Sequence, residues 1–133
     1  MASKGRPYRT TTFGGFTILV GKGAADNDVL SLQIAEPGDL WLHVGGGTPG
    51  SHVVVQNPGG SEIPYEVLEH AAKLAAWYSK ARSPRPVRVD YCLAARVRKP
   101  RGAPPGLVEI SGHRSLNVVG EPIEAQAPTA GSE

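Results

Sequence analysis

The sequence has almost no cysteine and no long apolar run, and both absences limit what the protein can be. Cys92 is the only cysteine among 133 residues, so no internal disulfide can form. No apolar stretch approaches the roughly 18 residues of a membrane span. The N-terminal segment MASKGRPYRT has basic residues but no apolar stretch after them, so we expect no secretory signal. We therefore expect a cytoplasmic protein without a membrane contact, with Cys92 buried in a strand-like segment.

The short motifs of common catalytic and phosphate-binding sites are also missing. The sequence contains no nucleophile elbow, metalloprotease helix, phosphate loop or Rossmann fingerprint. GGGTPG, at residues 45–50, is not a phosphate loop, because no Lys-Ser or Lys-Thr pair follows it and no helix is predicted there. We therefore expect no catalytic residue, no bound metal and no cofactor.

The remaining composition is that of an ordinary globular domain, with 40% hydrophobic and 20% charged residues. Several strand-like segments are separated by turn sequences, and one segment, about residues 64–82, has apolar residues at helical spacing. Pro64 suits the first turn of that helix, and SPRP, at residues 83–86, ends it. The sequence predicts an α+β domain, with a largely antiparallel sheet and one principal helix packed on it.

The distribution of turn-forming and polar residues predicts three parts of the chain. We expect a flexible N-terminus at residues 1–12, a folded domain at 13–120 and a disordered tail at 121–133. At the start of the folded domain, residues 16–23 and 29–35 predict two strands of a hairpin. The intervening ADND predicts the turn, which places Lys22 near the tip.

A basic block lies after the predicted helix, where residues 80–101 contain eight basic side chains and one acid, Asp90. The rest of the chain has more acidic than basic residues, so the block suggests an anionic partner. We expect RKPRGAPPG to form a stiff basic finger, although a solvated face with no partner is an alternative. The candidate phosphate-binding residues are Lys22, Lys80, Arg82, Arg85, Arg88, Arg96, Arg98, Lys99 and Arg101.

Two histidines flank the glycine-rich turn at residues 45–50, which we call the elbow. If the strands around it pair as a hairpin, His43 faces His52, and Trp41 lies on the same side. The histidines could hold the turn backbone, form a surface that stacks on bases, bind a metal or act in acid–base catalysis. A metal would need a third ligand, such as Asp39 or His113. The candidates for base contacts or stacking are Trp41, His43, His52 and Trp77.

The order of segments resembles the RNA-binding (NFACT-R) domain of the RqcH/NEMF ribosome quality-control proteins, some of which were named fibronectin-binding proteins in bacteria. The resemblance covers about Phe13 to Val119 and is carried by VGK…ND, DLWLH, PGSHVV, AAWYSKAR and the KP…GA…PG spacing. Full-length members have further domains, and the resemblance does not extend to functions that depend on them. The elbow departs from the family pattern by its triple glycine.

The resemblance implies a non-enzymatic domain that contacts RNA, either tRNA or ribosomal RNA, with the large ribosomal subunit as a further partner. It also implies a link to the quality control of stalled nascent chains. Two alternatives stay open at this point. One is a nucleic-acid-processing hydrolase that uses His43, His52 and Asp39. The other is a protein-interaction module that docks on a ribosomal protein or another factor.

Overall fold

The computed structural model describes residues 6–123 and contains a six-stranded antiparallel sheet in the order β1-β2-β4-β3-β5-β8. A second, two-stranded sheet pairs β6 with β7. The predicted α+β fold with a largely antiparallel sheet is confirmed. The strands are β1 Tyr8–Phe13, β2 Phe16–Gly21, β3 Leu40–Val44, β4 Val53–Val55, β5 Val87–Leu93, β6 Val97–Arg98, β7 Glu109–Ile110 and β8 Arg114–Val118.

One face of the large sheet packs against the principal helix, α2 (Tyr65–Trp77). The helix buries Val67, Ala71, Leu74 and Ala75 against the sheet, and all four are at most 1% exposed. The alanines let the helix backbone approach the strands closely, because they add little volume between the two layers. No helix among residues 6–123 is long and apolar enough to cross a membrane.

The opposite face of the sheet is also covered, which the sequence did not predict. A second apolar cluster there contains Leu19, Leu30, Trp41, Val54 and Cys92. Cys92 is buried as predicted, and burial raises the pKa of its thiol to about 11. A low thiolate fraction follows at neutral pH, which fits an inert core residue.

The segment that covers this face is helical, where a turn and a strand were predicted. Residues 24–34 form α1 (Ala24–Val29), continued by a π-helical segment, Leu30–Ile34. The prediction of an ADND turn and a strand at 29–35 was therefore wrong. The buried positions, Asn27, Leu30 and Ser31, do have helical spacing, but two of the three are polar. Apolar periodicity consequently did not reveal the helix, and the alternation in VLSLQIA resembled a strand.

The predicted first hairpin is replaced by a different one. Strand β2 pairs with β1 through a turn at Gly14 and Gly15, whose φ angles of 59° and 85° lie in the left-handed region. Lys22 therefore follows β2 at the entrance to α1, and it is not at a hairpin tip.

The principal helix ends at Trp77, five residues before the predicted end at 82. Tyr78 leaves the helical conformation with φ −90° and ψ 48°. Its carbonyl accepts a hydrogen bond from the Ser51 amide at 2.8 Å, and the Lys80 amide donates to the Pro49 carbonyl at 2.9 Å. Tertiary pairing with the elbow thus replaces the last helical turn.

Both predicted flexible ends include ordered residues. Residues 8–12, assigned to the flexible N-terminus, belong to β1 and pair with β2 along their whole length. In the predicted tail, the Glu121 amide donates to the Lys73 carbonyl at 3.1 Å, and the Ile123 amide donates to the Tyr78 hydroxyl at 3.2 Å. The rest of both predictions, at residues 1–5 and 124–133, lies outside the described residues.

Candidate nucleic-acid interface

The register predicted around the elbow is confirmed. Leu42 pairs with Val53 and Trp41 with Val54, so the next step along the two chains brings His43 beside His52. The two imidazole centroids are 5.1 Å apart, with planes at 79°. Gly46 and Gly47, at the exposed tip of the elbow, have φ angles of 73° and 74°, a left-handed conformation that glycine adopts without strain.

The aromatic side chains at the elbow are mostly buried, in contrast to the expected recognition surface. Trp41 is 2% exposed and His52 is 1% exposed. Trp41 Nε1–H donates to Ser31 Oγ at 2.8 Å, and Ser31 Oγ lies 2.7 Å from His52 Nδ1. These two rings have no free face for a base, so their prediction as stacking residues does not fit the structure.

His52 links the elbow to the loop between β6 and β7. Its Nε2 lies 3.2 Å from the Gly106 carbonyl, which can only accept, so we assign the ring proton to Nε2. The Ser31 hydroxyl then donates to Nδ1, and the imidazole is neutral. Burial lowers the pKa of His52 to about 4, and the nearby His43 is the second cause of this shift. The ring is a structural connector at neutral pH.

His43 is half-buried and lines the floor of the cleft described below. Burial lowers its pKa, although the Gly50 backbone and the Asp90 carboxylate oppose the shift. His43 pairs with Asp90 across β3 and β5. Asp90 itself accepts from Arg88 Nε at 3.1 Å and from the Ser115 hydroxyl at 2.6 Å.

The residues named for a hydrolase or a metal site are not brought together. Asp39 precedes β3, at the end of the strand opposite His43, and its oxygens accept from the amides of Asn57 and Glu36 at 2.8 and 2.9 Å. His113 is exposed in the turn before β8. Across residues 6–123, no three His, Cys, Asp or Glu side chains are grouped so that they could bind a metal.

The elbow is held in place by Asn27, which was not among the predicted site residues. Its Nδ2 donates to the Gly50 carbonyl at 3.0 Å, and its Oδ1 accepts from the His52 amide at 3.0 Å. Asn27 is 4% exposed. Gly21 must be glycine here, because a Cβ would lie 2.0 Å from Asn27 Oδ1. The only sequence signal was the presence of both residues in the VGK…ND motif.

A cleft of about 870 Å³ opens between the elbow, the chain after α2 and the loop between β6 and β7. Residues 46–52 form one wall, and residues 77–80 form the adjoining wall. Residues 104–108 form an apolar wall that contains two prolines and the exposed Leu107. The half-buried His43 and the buried Asp90 also line the cleft.

Four exposed cations line this cleft, and they come from three separate segments of the chain. They are Arg9, Lys22, Lys80 and Arg82. Arg82 lies over the Trp77 ring, with its Cζ 4.4 Å from the ring centroid, and Arg9 lies over Tyr78 at 5.4 Å. None of the four has a carboxylate partner among the residues that the structure describes. Arg9 was not among the predicted cations, because β1 was assigned to the flexible N-terminus.

Three other predicted cations are paired inside the domain. Arg88 pairs with Asp90, and Arg98 pairs with Glu109. Lys99 Nζ lies 2.9 Å from the Asp28 carboxylate and donates to the carbonyls of Pro104 and Leu107 at 2.6 and 3.0 Å. The predicted basic finger is thus folded against α1 by its own lysine.

The last three predicted cations are exposed elsewhere on the surface. Arg85 follows the helix, and Arg101 lies in the loop between β6 and β7. Arg96 and Arg98, with Glu109, line a second, smaller cleft beside β6 and β7. The basic block of the sequence is therefore spread over several parts of the surface, with two of its cations at each cleft.

The fold and the cleft define a class: an α+β domain with a concave, cation-lined surface suited to a polyanion. A known protein family matches most of the chain. Residues 6–112 match the family described as the NFACT protein RNA binding domain, and the chain belongs to that family. The description of this family names RNA as what the domain binds.

Individual relatives agree with this assignment. The chain is 40% identical over 111 residues to the Rqc2 homolog RqcH of Bacillus subtilis (strain 168), and 44% identical over 114 residues to that of Streptococcus suis (strain 05ZYH33). These alignments cover 84% and 85% of this chain, but only 18% and 20% of the relatives.

A solved structure has the same fold. It is the C-terminal part of the fibronectin/fibrinogen-binding protein from Streptococcus suis, with a TM-score of 0.80 and 38% identity. The match covers 90% of this chain and 48% of that one.

Proposed function

We propose that this chain is a non-enzymatic RNA-binding module that holds tRNA or ribosomal RNA in the cleft beside the elbow. The observation that carries the proposal is the convergence of Arg9, Lys22, Lys80 and Arg82 on one concave surface. Exposed cations that have no carboxylate partner among residues 6–123 are available to neutralise phosphates, and phosphate contacts supply most of the affinity of such proteins.

Family membership supports RNA as the polyanion. The relatives are much longer proteins, so their activity does not transfer to this chain by similarity alone. We further propose that the module acts in the cytoplasm, at the large ribosomal subunit, during quality control of stalled nascent chains. The support is family membership, together with a match to RqcH that covers 84% of this chain.

The hydrolase alternative has little structural support. Both ring nitrogens of His52 are engaged in hydrogen bonds, and its lowered pKa leaves it neutral at physiological pH. Asp39 serves a turn at the opposite end of β3 from His43. A general base needs a free nitrogen within reach of substrate, and His52 has none.

The test is fluorescence anisotropy of labelled tRNA, titrated with this protein at about 50 and about 200 mM salt. If the four cleft cations each neutralise one phosphate, the logarithm of affinity should fall with the logarithm of salt with a slope of roughly −3, a loss of about fiftyfold over this range. Unlabelled duplex DNA serves as the competitor control. Absence of binding at both salt concentrations would contradict the proposal and favour docking on a protein partner.

A further inference from the structure

The cleft has two chemically different sides. The elbow and the chain after α2 contribute glycine backbone and the cations Lys80 and Arg82, and Lys22 also lines the cleft. The facing loop contributes an apolar wall of prolines, Leu107 and Val108. A nucleotide has the same division, because its phosphate is charged while its base has apolar faces.

The dimensions of the cleft suit a nucleotide better than a duplex. Its volume of about 870 Å³ falls within the range of small-ligand sites, roughly 300–1,000 Å³. A duplex presents phosphates on a convex surface and keeps its bases stacked inside, so it would meet only the rim. Bases in loops and at ends can leave the stack and enter a pocket.

A planar platform stands at the edge of the cleft. The Arg82 guanidinium covers the half-buried Trp77 ring, with 4.4 Å between Cζ and the ring centroid. Such a guanidinium can stack on a base with its other face while its N–H groups reach a phosphate. The residue is exposed and has no carboxylate partner within residues 6–123, so no acidic side chain in this part of the chain competes with a phosphate for it.

The tip of the elbow is exposed, and hydrogen bonds hold its base. At Gly46 and Gly47 an added Cβ would meet no atom within 4 Å, so the backbone at the tip is open to approach. Asn27 holds the base of the elbow through two hydrogen bonds. Binding there should need little ordering of the chain, which favours affinity for a small ligand.

We propose that the cleft receives an unpaired nucleotide of RNA, with the base between the Arg82–Trp77 stack and the apolar wall. The phosphate then lies toward Lys22, Lys80 and the glycine elbow. The inference rests on the proposed function, and it adds that the module recognises single-stranded loops or ends.

The test compares a short single-stranded RNA without self-complementarity with the blunt duplex that it forms with its complement. Anisotropy is measured for both at the same salt concentration. The single strand should bind at least about tenfold more tightly, although the duplex has more phosphates, because base stacking is worth about 1–3 kcal/mol per base. Equal or tighter binding of the duplex would overturn the inference while leaving RNA binding intact. Binding of neither RNA would overturn the proposed function as well.

A charge-conserving variant makes the test specific to the platform. Arg82→Lys keeps the positive charge and removes the planar guanidinium, and Arg85→Lys is the matched control on the same segment. We expect Arg82→Lys to weaken binding of the single strand by about threefold to tenfold and to leave the affinity for the duplex unchanged. Arg85→Lys should change neither affinity. No loss with either RNA would show that Arg82 contributes only charge, and an equal loss for both would show that its guanidinium contacts phosphate. Either result would contradict the stacking role.

Intrinsic fluorescence provides a second readout. The chain has two tryptophans, and Trp41 is 2% exposed, so a bound base should quench mainly Trp77. Single-stranded RNA should quench the wild type and leave the emission of Trp77→Phe unchanged. Quenching that persists in this variant would place the base elsewhere.

Discussion

The two basic surfaces of this domain differ in how their charges are used. In the cleft, Lys80 and Arg82 are exposed, and no carboxylate among residues 6–123 pairs with them. Beside β6 and β7, Arg98 pairs with Glu109, and the neighbouring Lys99 is bound to Asp28. Closeness in sequence therefore does not make a binding surface. Cations are available to a ligand only where the fold gives them no internal partner.

The sharpest way to break this comparison is charge reversal on each surface. Lys80→Glu/Arg82→Glu should weaken tRNA binding roughly hundredfold, because two charge-assisted contacts of about 1.5 kcal/mol each are lost. Arg96→Glu/Arg98→Glu changes the net charge by the same amount and is the matched variant. We expect it to weaken tRNA binding by less than about threefold. Anisotropy measures both. A larger loss in the second variant would place the RNA on the β6–β7 surface.

A change of pH tests the connection between the elbow and the loop between β6 and β7, because His52 Nε2 lies 3.2 Å from the Gly106 carbonyl. The pKa of His52 is about 4 in the folded state and about 6.5 when unfolded. Between these values the unfolded chain binds more protons, so the free energy of unfolding should fall as pH drops from about 6.5 to about 4, by roughly 3 kcal/mol from this group. Denaturant unfolding at several pH values measures the fall.

The pH prediction has two matched variants. In His52→Gln the side chain no longer titrates, so the pH dependence over this window should be weaker than in the wild type. His113→Gln changes an exposed histidine and should retain the wild-type slope. Identical slopes in the wild type and His52→Gln would show that protonation of His52 is not coupled to unfolding.

Removal of the Asn27 side chain tests whether the cleft depends on a fixed elbow. Asn27→Ala leaves the Gly50 carbonyl and the His52 amide without their partners, so the free energy of unfolding should fall by about 1–3 kcal/mol. RNA affinity should fall too, measured at a temperature where the variant is folded. Asn117→Ala, on the exposed edge strand β8, is the control. Unchanged RNA affinity in folded Asn27→Ala would show that RNA binding does not depend on a fixed elbow.

The smallest effect is expected at the ion pair beside β6 and β7. Arg98 and Glu109 are both exposed, and such pairs contribute about 0–1 kcal/mol. Arg98→Ala/Glu109→Ala should therefore change the unfolding free energy by less than about 1 kcal/mol in denaturant titrations. A markedly larger loss would mean that this pair holds the hairpin together.

The sequence predicted the parts of the fold that follow from local patterns. The alternation around the elbow was enough for the register that sets His43 beside His52, and helical spacing identified α2. The prediction from local patterns failed where polar residues are buried. Asn27 and Ser31 occupy inward positions of the helical segment because they bind the elbow and Trp41, and a pattern of apolar residues cannot show such contacts.

The candidate site was less predictable than the fold. Lys80 and Arg82 were predicted as part of a basic block, but their separation from Arg98 and Lys99 depends on partners distant in sequence, Asp28 and Glu109. Arg9 reaches the cleft only because β1 pairs with β2. Burial of Trp41 likewise follows from a helical cover that was not predicted.

The most direct test of the central claim is an amide chemical-shift map of the ¹⁵N-labelled protein titrated with short single-stranded RNA. We predict that the largest changes fall on Lys22, Gly46, Gly47, Lys80 and Arg82, with little change at Arg96, Arg98 and Glu109. Changes centred on Arg96, Arg98 and Glu109, with the cleft residues unaffected, would contradict this claim.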